Sequence, residues 1–258
     1  MYAYQFKLDI HFFWRRDLCI LISVIGTKAL KNAEVTLIGI MIKLVIFDAS
    51  GTLLNDFSVT YKAASKILLN FGKNMDDLTT FKENFRLPYW NYYVDKGIAT
   101  DTAKSELPVL YSKFYLEMMG EVELFPEVEE ATQRLKDMSV RLAISSQIPK
   151  ETLSEILERS GIRDRFEMVV GLGDYQDPKP SPESILMVLN KLGVSANETI
   201  YVGDMTEDII SAKRAGVIPV AVYRNKAAYQ TRSNLEAEVP AFLIDDLGQL
   251  IKIVSDSM

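Results

Sequence analysis

Histidine and cysteine are almost missing from this chain. There is one of each among 258 residues, His11 and Cys19, and from Met41 to Met258 there is neither. Ser-His-Asp and Cys-His nucleophile systems, His/Cys zinc sites, haem ligation and structural disulfides all need side chains which that stretch lacks. Chemistry after Met41 therefore falls to carboxylates, Lys, Arg, hydroxyls and a hard metal. The absence of paired cysteines also fits a reducing compartment, so a cytoplasmic location is expected. Excess positive charge is missing too: 29 Lys and Arg against 35 Asp and Glu leave a formal net charge of −6. No overall basic field gathers a phosphate backbone, and a nucleic-acid partner is not expected. Long apolar runs are the third absence. Leu18 to Ile25, preceded by Arg15 and Arg16, falls short of the roughly 20 apolar residues of a bilayer span, so no membrane partner is expected. What remains, 48% hydrophobic and 25% charged, suits a globular protein with one sizeable core and a smaller attached domain.

Residues 1–40 read as an N-terminal extension, most simply one translated from a start upstream of the true one, with Met41 opening the main domain. A targeting or membrane-associating segment and an added structural element are the alternatives. From Met41 the pattern is regular. Short apolar, β-branched runs at Ile42–Phe47, Val140–Ile144, Met168–Val170, Thr199–Val202, Val217–Val222 and Phe242–Ile244 predict buried parallel strands. Helical patterns at Lys150–Ser160, Pro182–Leu192, Thr206–Ala215 and Leu247–Val254 lie between and after them. The alternation predicts an α/β fold, a doubly wound parallel sheet with helices on both faces. One interval breaks it: Asp56 to Met138 has no good strand run but has helical stretches near Val59–Phe71, Asp76–Phe85 and Asp101–Met119. An all-helical insertion after the first strand sits above the carboxyl ends of the strands, where such sheets bind ligands. The expected organisation is a core of 41–56 and 126–258 with a helical cap at 57–125.

Four strand ends carry polar residues. The first runs into Asp48-Ala49-Ser50-Gly51-Thr52-Leu53, the second into Ser145-Ser146-Gln147, and the third is followed by Asp177-Pro178-Lys179-Pro180. The fourth runs into Gly203-Asp204-Met205-Thr206-Glu207-Asp208. Each has an ordinary reading: a solvated turn, a helix cap, a surface lysine in a proline-rich turn, an acidic helix N-terminus. An acid, a hydroxyl, a lysine and an acidic pair, in that order and each at a strand's carboxyl end, are an improbable coincidence.

Asp48-x-Ser50-Gly51-Thr52-Leu53, Ser146, Lys179 and Gly203-Asp204-x-x-x-Asp208 together resemble the four motifs of the haloacid dehalogenase superfamily. The resemblance extends over about residues 41–258, with the insertion similar to the small helical cap of its phosphoglycolate phosphatase-like members. It implies a Rossmann-like core and a Mg²⁺-dependent hydrolase of a small organic phosphate monoester, with Asp48 as the nucleophile that becomes an aspartyl phosphate. It further implies metal binding by Asp48, the Ser50 backbone carbonyl and Asp204, with Asp208 completing the acidic loop directly, through water or from behind. Lys179 would neutralise the phosphoryl oxygens. Ser146, Gln147 and the Gly51 and Thr52 amides would bind substrate. An anionic carboxylate approaches an anionic phosphate only when cations and fixed donors offset the charge, which an all-oxygen magnesium site and a lysine can do.

The family's phosphatases usually have a second Asp two residues after the nucleophile, which protonates the leaving group. Here that residue is Ser50. Loss of a general acid is typically worth about 10²–10⁴-fold, so the chain is expected to be slow, to use good leaving groups, or to recruit another acid such as Asp56. A phosphate-binding or regulatory module, and phosphonate or haloacid cleavage, are the alternative functions. The phosphonate-cleaving members use a cap lysine; Lys62 and Lys66 lie in the first helical stretch of the cap, where an exposed helical face is the simpler reading of both. Substrate choice is expected in the cap, where Arg86, Tyr89, Trp90, Tyr92 and Tyr93 cluster around Pro88. Packing is the simpler reading of the aromatics, and Arg86 is the candidate contact to substrate.

Overall fold

The computed structural model describes residues 41–257 and, before them, the backbone of three short strands, β1 (His11–Phe12), β2 (Ile20–Ser23) and β3 (Glu34–Leu37). These three pair antiparallel in sequence order. The rest of 1–40, including Cys19 and half of the apolar run Leu18–Ile25, lies outside the described residues.

The chain then builds a six-stranded sheet. β4 (Leu44–Phe47) leads to a two-residue strand, β5 (Leu54–Asn55). Four helices follow: α1 (Phe57–Asn70), α2 (Leu78–Asn84), α3 (Trp90–Asp95) and α4 (Thr100–Glu117). β6 (Glu123–Leu124) returns antiparallel to β5, so the helices rise from a narrow two-stranded base. The remaining elements are α5 (Val128–Asp137), β7 (Arg141–Pro149), α6 (Lys150–Arg159), β8 (Met168–Leu172) and α7 (Glu183–Leu192). They continue as β9 (Thr199–Gly203), α8 (Thr206–Ala215), β10 (Ile218–Val222), α9 (Arg232–Ala237), β11 (Phe242–Ile244) and α10 (Leu247–Ser255). The large sheet is wholly parallel, in the order β11-β10-β9-β4-β7-β8. This is the doubly wound α/β fold with an all-helical insertion. Among the described residues no helix is long and apolar enough to cross a membrane.

β4 shows why the sheet is covered on both faces. Its four residues are fully buried and alternate between two cores. Leu44 and Ile46 pack with Ile185 and Val188 of α7 and Ala212 of α8, whereas Val45 and Phe47 pack with Leu135 of α5, Ile156 of α6 and Leu250 of α10. A strand with a two-residue repeat must have apolar side chains throughout when both faces are covered, each contributing roughly 2 kcal/mol on burial.

The central register positions the site. Phe47 of β4 is level with Ile144 of β7 on one side and Val202 of β9 on the other, so Asp48, Ser145 and Gly203 emerge side by side at the carboxyl edge. The chain passes from β4 to β7 in one direction and later back to β9 in the other, which makes this edge a topological switch point.

Local departures from expectation have physical causes. β7 does not end at Ile144: it continues through Ser145-Ser146-Gln147 to Pro149 with a shift in register, so those residues are strand, and Pro149 caps α6 without a side-chain bond. α3 goes unpredicted because its six residues, WNYYVD, are too short and too uniformly aromatic to show a helical stripe. The two-residue strands β5 and β6 carry no period at all.

Candidate active site

Asp48 lies one residue beyond β4, buried, and its Oδ1 is 2.6 Å from Lys179 Nζ. The same ammonium is 2.8 Å from Asp208 Oδ1, so Lys179, itself buried, bridges an acid just past β4 and one in the first turn of α8. Asp208 is in turn held by the Met205 amide, which donates to its Oδ2 at 3.0 Å, and by the Tyr201 hydroxyl at 3.3 Å. Burial opposes a charged lysine here, but Asp208 and Asp48 more than offset it and hold Lys179 well above its ordinary value. Desolvation pushes Asp48 up to about 7; Lys179 works against that shift and Asp208 adds to it.

Asp204 completes the acidic group. Carboxylate oxygens of Asp48, Asp204 and Asp208 all lie within 4.8 Å of one another, and all three residues are buried. Thr52 Oγ donates to Asp204 Oδ1 at 3.3 Å, while Asp204 Oδ2 is buried without any hydrogen-bond partner. Burial first, and then Asp208, Asp48 and Asp56, push its carboxyl well above the usual range. Three acids around one lysine with one oxygen left unpaired fit a hard divalent cation, whose charge would offset theirs. Two glycines make room for this grouping. A Cβ on Gly51, which has φ +71°, would lie 2.2 Å from Asp204 Oδ2, and one on Gly203 would lie 2.4 Å from the Asp208 carboxylate.

The family model for haloacid dehalogenase-like hydrolases matches residues 45–222, spanning every one of these groups. The chain is a haloacid dehalogenase-like hydrolase. It is 26% identical over 217 residues to a phosphoglycolate phosphatase of Pseudomonas savastanoi pv. phaseolicola, covering 81% of this chain and 78% of that protein. It is 29% identical over 218 residues to the pyrophosphatase PpaX of Bacillus cereus, covering 83% and 97%. Solved structures share the fold. A haloacid dehalogenase-like family hydrolase from Streptococcus pneumoniae superposes with a TM-score of 0.70 at 19% identity, over 82% of this chain and 97% of that one. A hydrolase from Pseudomonas syringae gives 0.72 at 17%, over 83% and 98%.

In this hydrolase Ser50 is not isolated. Its hydroxyl donates to both oxygens of Asp56, at 2.9 and 2.8 Å, and shares a 2.9 Å hydrogen bond with the Tyr229 hydroxyl. Asp56 is fully buried between β5 and α1 and also accepts from Tyr115 Oη at 2.8 Å, Tyr229 Oη at 3.3 Å and the Gly51 amide at 3.2 Å. Burial raises its carboxyl and these donors work against the rise. The acid named from sequence as a stand-in is thus brought against Ser50.

A cavity of about 60 Å³ opens over Asp48. Asp48, Ser50, Ser146 and Gln147 line it from the sheet side, and Phe85, Leu87, Tyr89, Tyr93 and Tyr111 from the helical insertion. Ser146 and Gln147 are thus brought to the cavity beside Asp48. The Gly51 amide is not free for a substrate, because it donates to the Leu54 carbonyl at 2.9 Å and to Asp56; the Thr52 amide donates to Ala49 O at 3.3 Å. The tight turn that brings Ser50 to Asp56 uses up both. Arg86 is not brought to the cavity either. It is exposed, ion-paired to Asp95 at 2.5 Å, because the side chain points to water on the outer side of a segment whose neighbours Phe85 and Leu87 turn inward. Lys62 and Lys66 are exposed and ion-paired with Glu121 and Glu117, away from the cavity lining.

Two residues escape a reading by motif. Tyr229, in the loop after β10, lines the cavity and touches both Ser50 and Asp56. Arg224, in the same loop, donates to the Thr52 carbonyl at 2.5 Å, pairs with Glu127 and stacks 3.9 Å over the Phe125 ring, clamping the turn that follows the nucleophile. The only signal for either is position, after a strand whose carboxyl end lies on the same edge.

Proposed function

We propose that the chain hydrolyses a small phosphate monoester through an aspartyl phosphate on Asp48, with magnesium held by Asp48, Asp204 and the Ser50 carbonyl. The observation that carries this is the unpaired Asp204 oxygen beside Asp48 and Lys179 in a buried, acid-rich crevice. The names of the phosphatase and pyrophosphatase relatives support the same reaction class. Magnesium bound there would supply the positive charge that lets two anions meet. An Asp48 oxygen attacks phosphorus, the ester P–O bond breaks, and the departing oxygen takes a proton. Water then attacks phosphorus, releasing phosphate and restoring the Asp48 carboxylate. Lys179 holds Asp48 in line and neutralises the phosphoryl oxygens, while Asp208 holds Lys179 from behind. Ser146 donates a hydrogen bond from the neighbouring strand. The proton for the leaving oxygen comes from the Ser50–Asp56 pair, Ser50 facing the cavity and Asp56 supplying the acid behind it.

Release of phosphate from 4-nitrophenyl phosphate, with and without Mg²⁺, tests this reading. Asp48→Asn is expected to bring Mg²⁺-dependent release to background while circular dichroism and the melting temperature remain native. Retained turnover in that variant removes the nucleophile and the proposed reaction with it.

A further inference from the structure

The wall facing Asp48 is unlike its floor. Among the described residues that line the cavity, Asp48 is the only charged one. Phe85, Leu87, Tyr93 and Ile148 give the lining its apolar surface, and two of the neutral polar atoms among the lining residues have no partner. The Tyr89 hydroxyl is buried without a hydrogen-bond partner, and so is Gln147 Oε1. The Gln147 amide is oriented by its nitrogen, which donates to the Lys179 carbonyl at 3.3 Å, so the oxygen is the atom left over. Tyr89 remains a donor, since burial pushes its phenol up. A buried donor and a buried acceptor left unmatched cost free energy until something pairs with them.

Charge argues in the same direction. Asp48, Asp56, Asp204 and Asp208 already crowd this end of the sheet, and Lys179 is the buried cation that touches two of them. A carboxylate or second phosphate on the leaving group would enter a low-dielectric wall with no cation to receive it, facing acids of like sign.

Resting on the phosphatase reading above, we propose that the substrate is the phosphate monoester of a small, uncharged, partly apolar alcohol or phenol, whose one polar substituent pairs with Tyr89 and Gln147. The wall selects against anionic leaving groups such as glycolate or phosphate. Such a leaving group also suits Ser50, since a phenol-like oxygen departs with less help from an acid than an alkoxide does.

The test is a matched series with Mg²⁺: phenyl phosphate, 3-(hydroxymethyl)phenyl phosphate and 3-carboxyphenyl phosphate, with 2-phosphoglycolate and pyrophosphate alongside. The two neutral aryl esters are expected to exceed the carboxylated one in kcat/KM by about 100-fold, equivalent to about 2.8 kcal/mol. Tyr89→Phe is expected to raise KM about tenfold more for the hydroxymethyl ester than for phenyl phosphate. Equal or better turnover of the carboxylated ester, phosphoglycolate or pyrophosphate overturns the inference and leaves the phosphatase reading standing. If no ester is hydrolysed, the phosphatase reading falls, and calorimetric binding of the three aryl esters decides the inference separately. Tighter binding of the neutral pair sustains it; equal or tighter binding of the carboxylated ester overturns it.

Discussion

The floor and the roof of the cavity are built on opposite principles. The floor lies at the carboxyl edge of the sheet, where Lys179 bridges Asp48 and Asp208 and carboxylate oxygens of Asp48, Asp204 and Asp208 lie within 4.8 Å of one another. The roof is a helical insertion built on packed aromatic rings: Phe81 sits edge to face 5.3 Å from Tyr61 and 5.1 Å from Tyr92, and tilted 4.9 Å from Phe85. Electrostatics governs the floor, and apolar burial governs the roof. Under the function proposed above, the difference separates two tasks, with reaction chemistry at the floor and leaving-group selection at the roof.

The largest effect is expected from breaking the roof alone. Phe81 is fully buried at the centre of the aromatic group, so Phe81→Ala should cost about 3–5 kcal/mol in denaturant unfolding. If roof and floor are separate, the variant should match the parent in the Mg²⁺ binding proposed above, measured by calorimetry. Breaking the floor should leave the roof packed: Lys179→Met is expected to lower kcat by about 10²–10³-fold on neutral and anionic esters alike, without changing their ranking. A change in ranking would show that Lys179 reads the leaving group.

A pH titration sharpens the contrast without mutation. The folded Asp48 carboxyl, raised from 3.8 to about 7, binds its proton more tightly than the unfolded chain does. Its contribution to stability is fully present below the unfolded value and is lost as pH rises through about 7. The melting temperature of the metal-free protein should therefore fall between about pH 5 and pH 8, and Mg²⁺ should restore most of the loss at the alkaline end. A pH-independent melting curve would contradict the burial of these acids. The smallest effect is expected where the two regions touch. Tyr115→Phe removes one of several donors to Asp56 and should cost about 1 kcal/mol with the fold unchanged.

The same division decides what could be read from the chain. The six strands are predictable because each is a compact apolar run, and the acids at their ends are predictable because strand ends in a parallel sheet share an edge. Asp56, named from the sequence as another acid, lies at hydrogen-bond distance from Ser50. Arg86 illustrates the limit. A cation among aromatics looks like a ligand contact, but Arg86 lies in a non-helical segment between α2 and α3 where its neighbours Phe85 and Leu87, two residues apart, take the cavity. Tyr229 and Arg224 were out of reach for a related reason: loop residues have no period, and only the closed fold brings them to the nucleophile's turn.

Asp56 also bears on how the chain reaches this state. Its hydrogen-bond partners are separated from it by 6 residues at Ser50, 59 at Tyr115 and 173 at Tyr229. Each closure carries an entropic cost that grows with the logarithm of the loop, and the last of them spans most of the described chain. The contact can form only after the insertion has folded back on its base and β10 has joined the sheet. The junction is therefore a late product of folding, and native-state hydrogen exchange should find the turn around Gly51 opening before the strands that flank it.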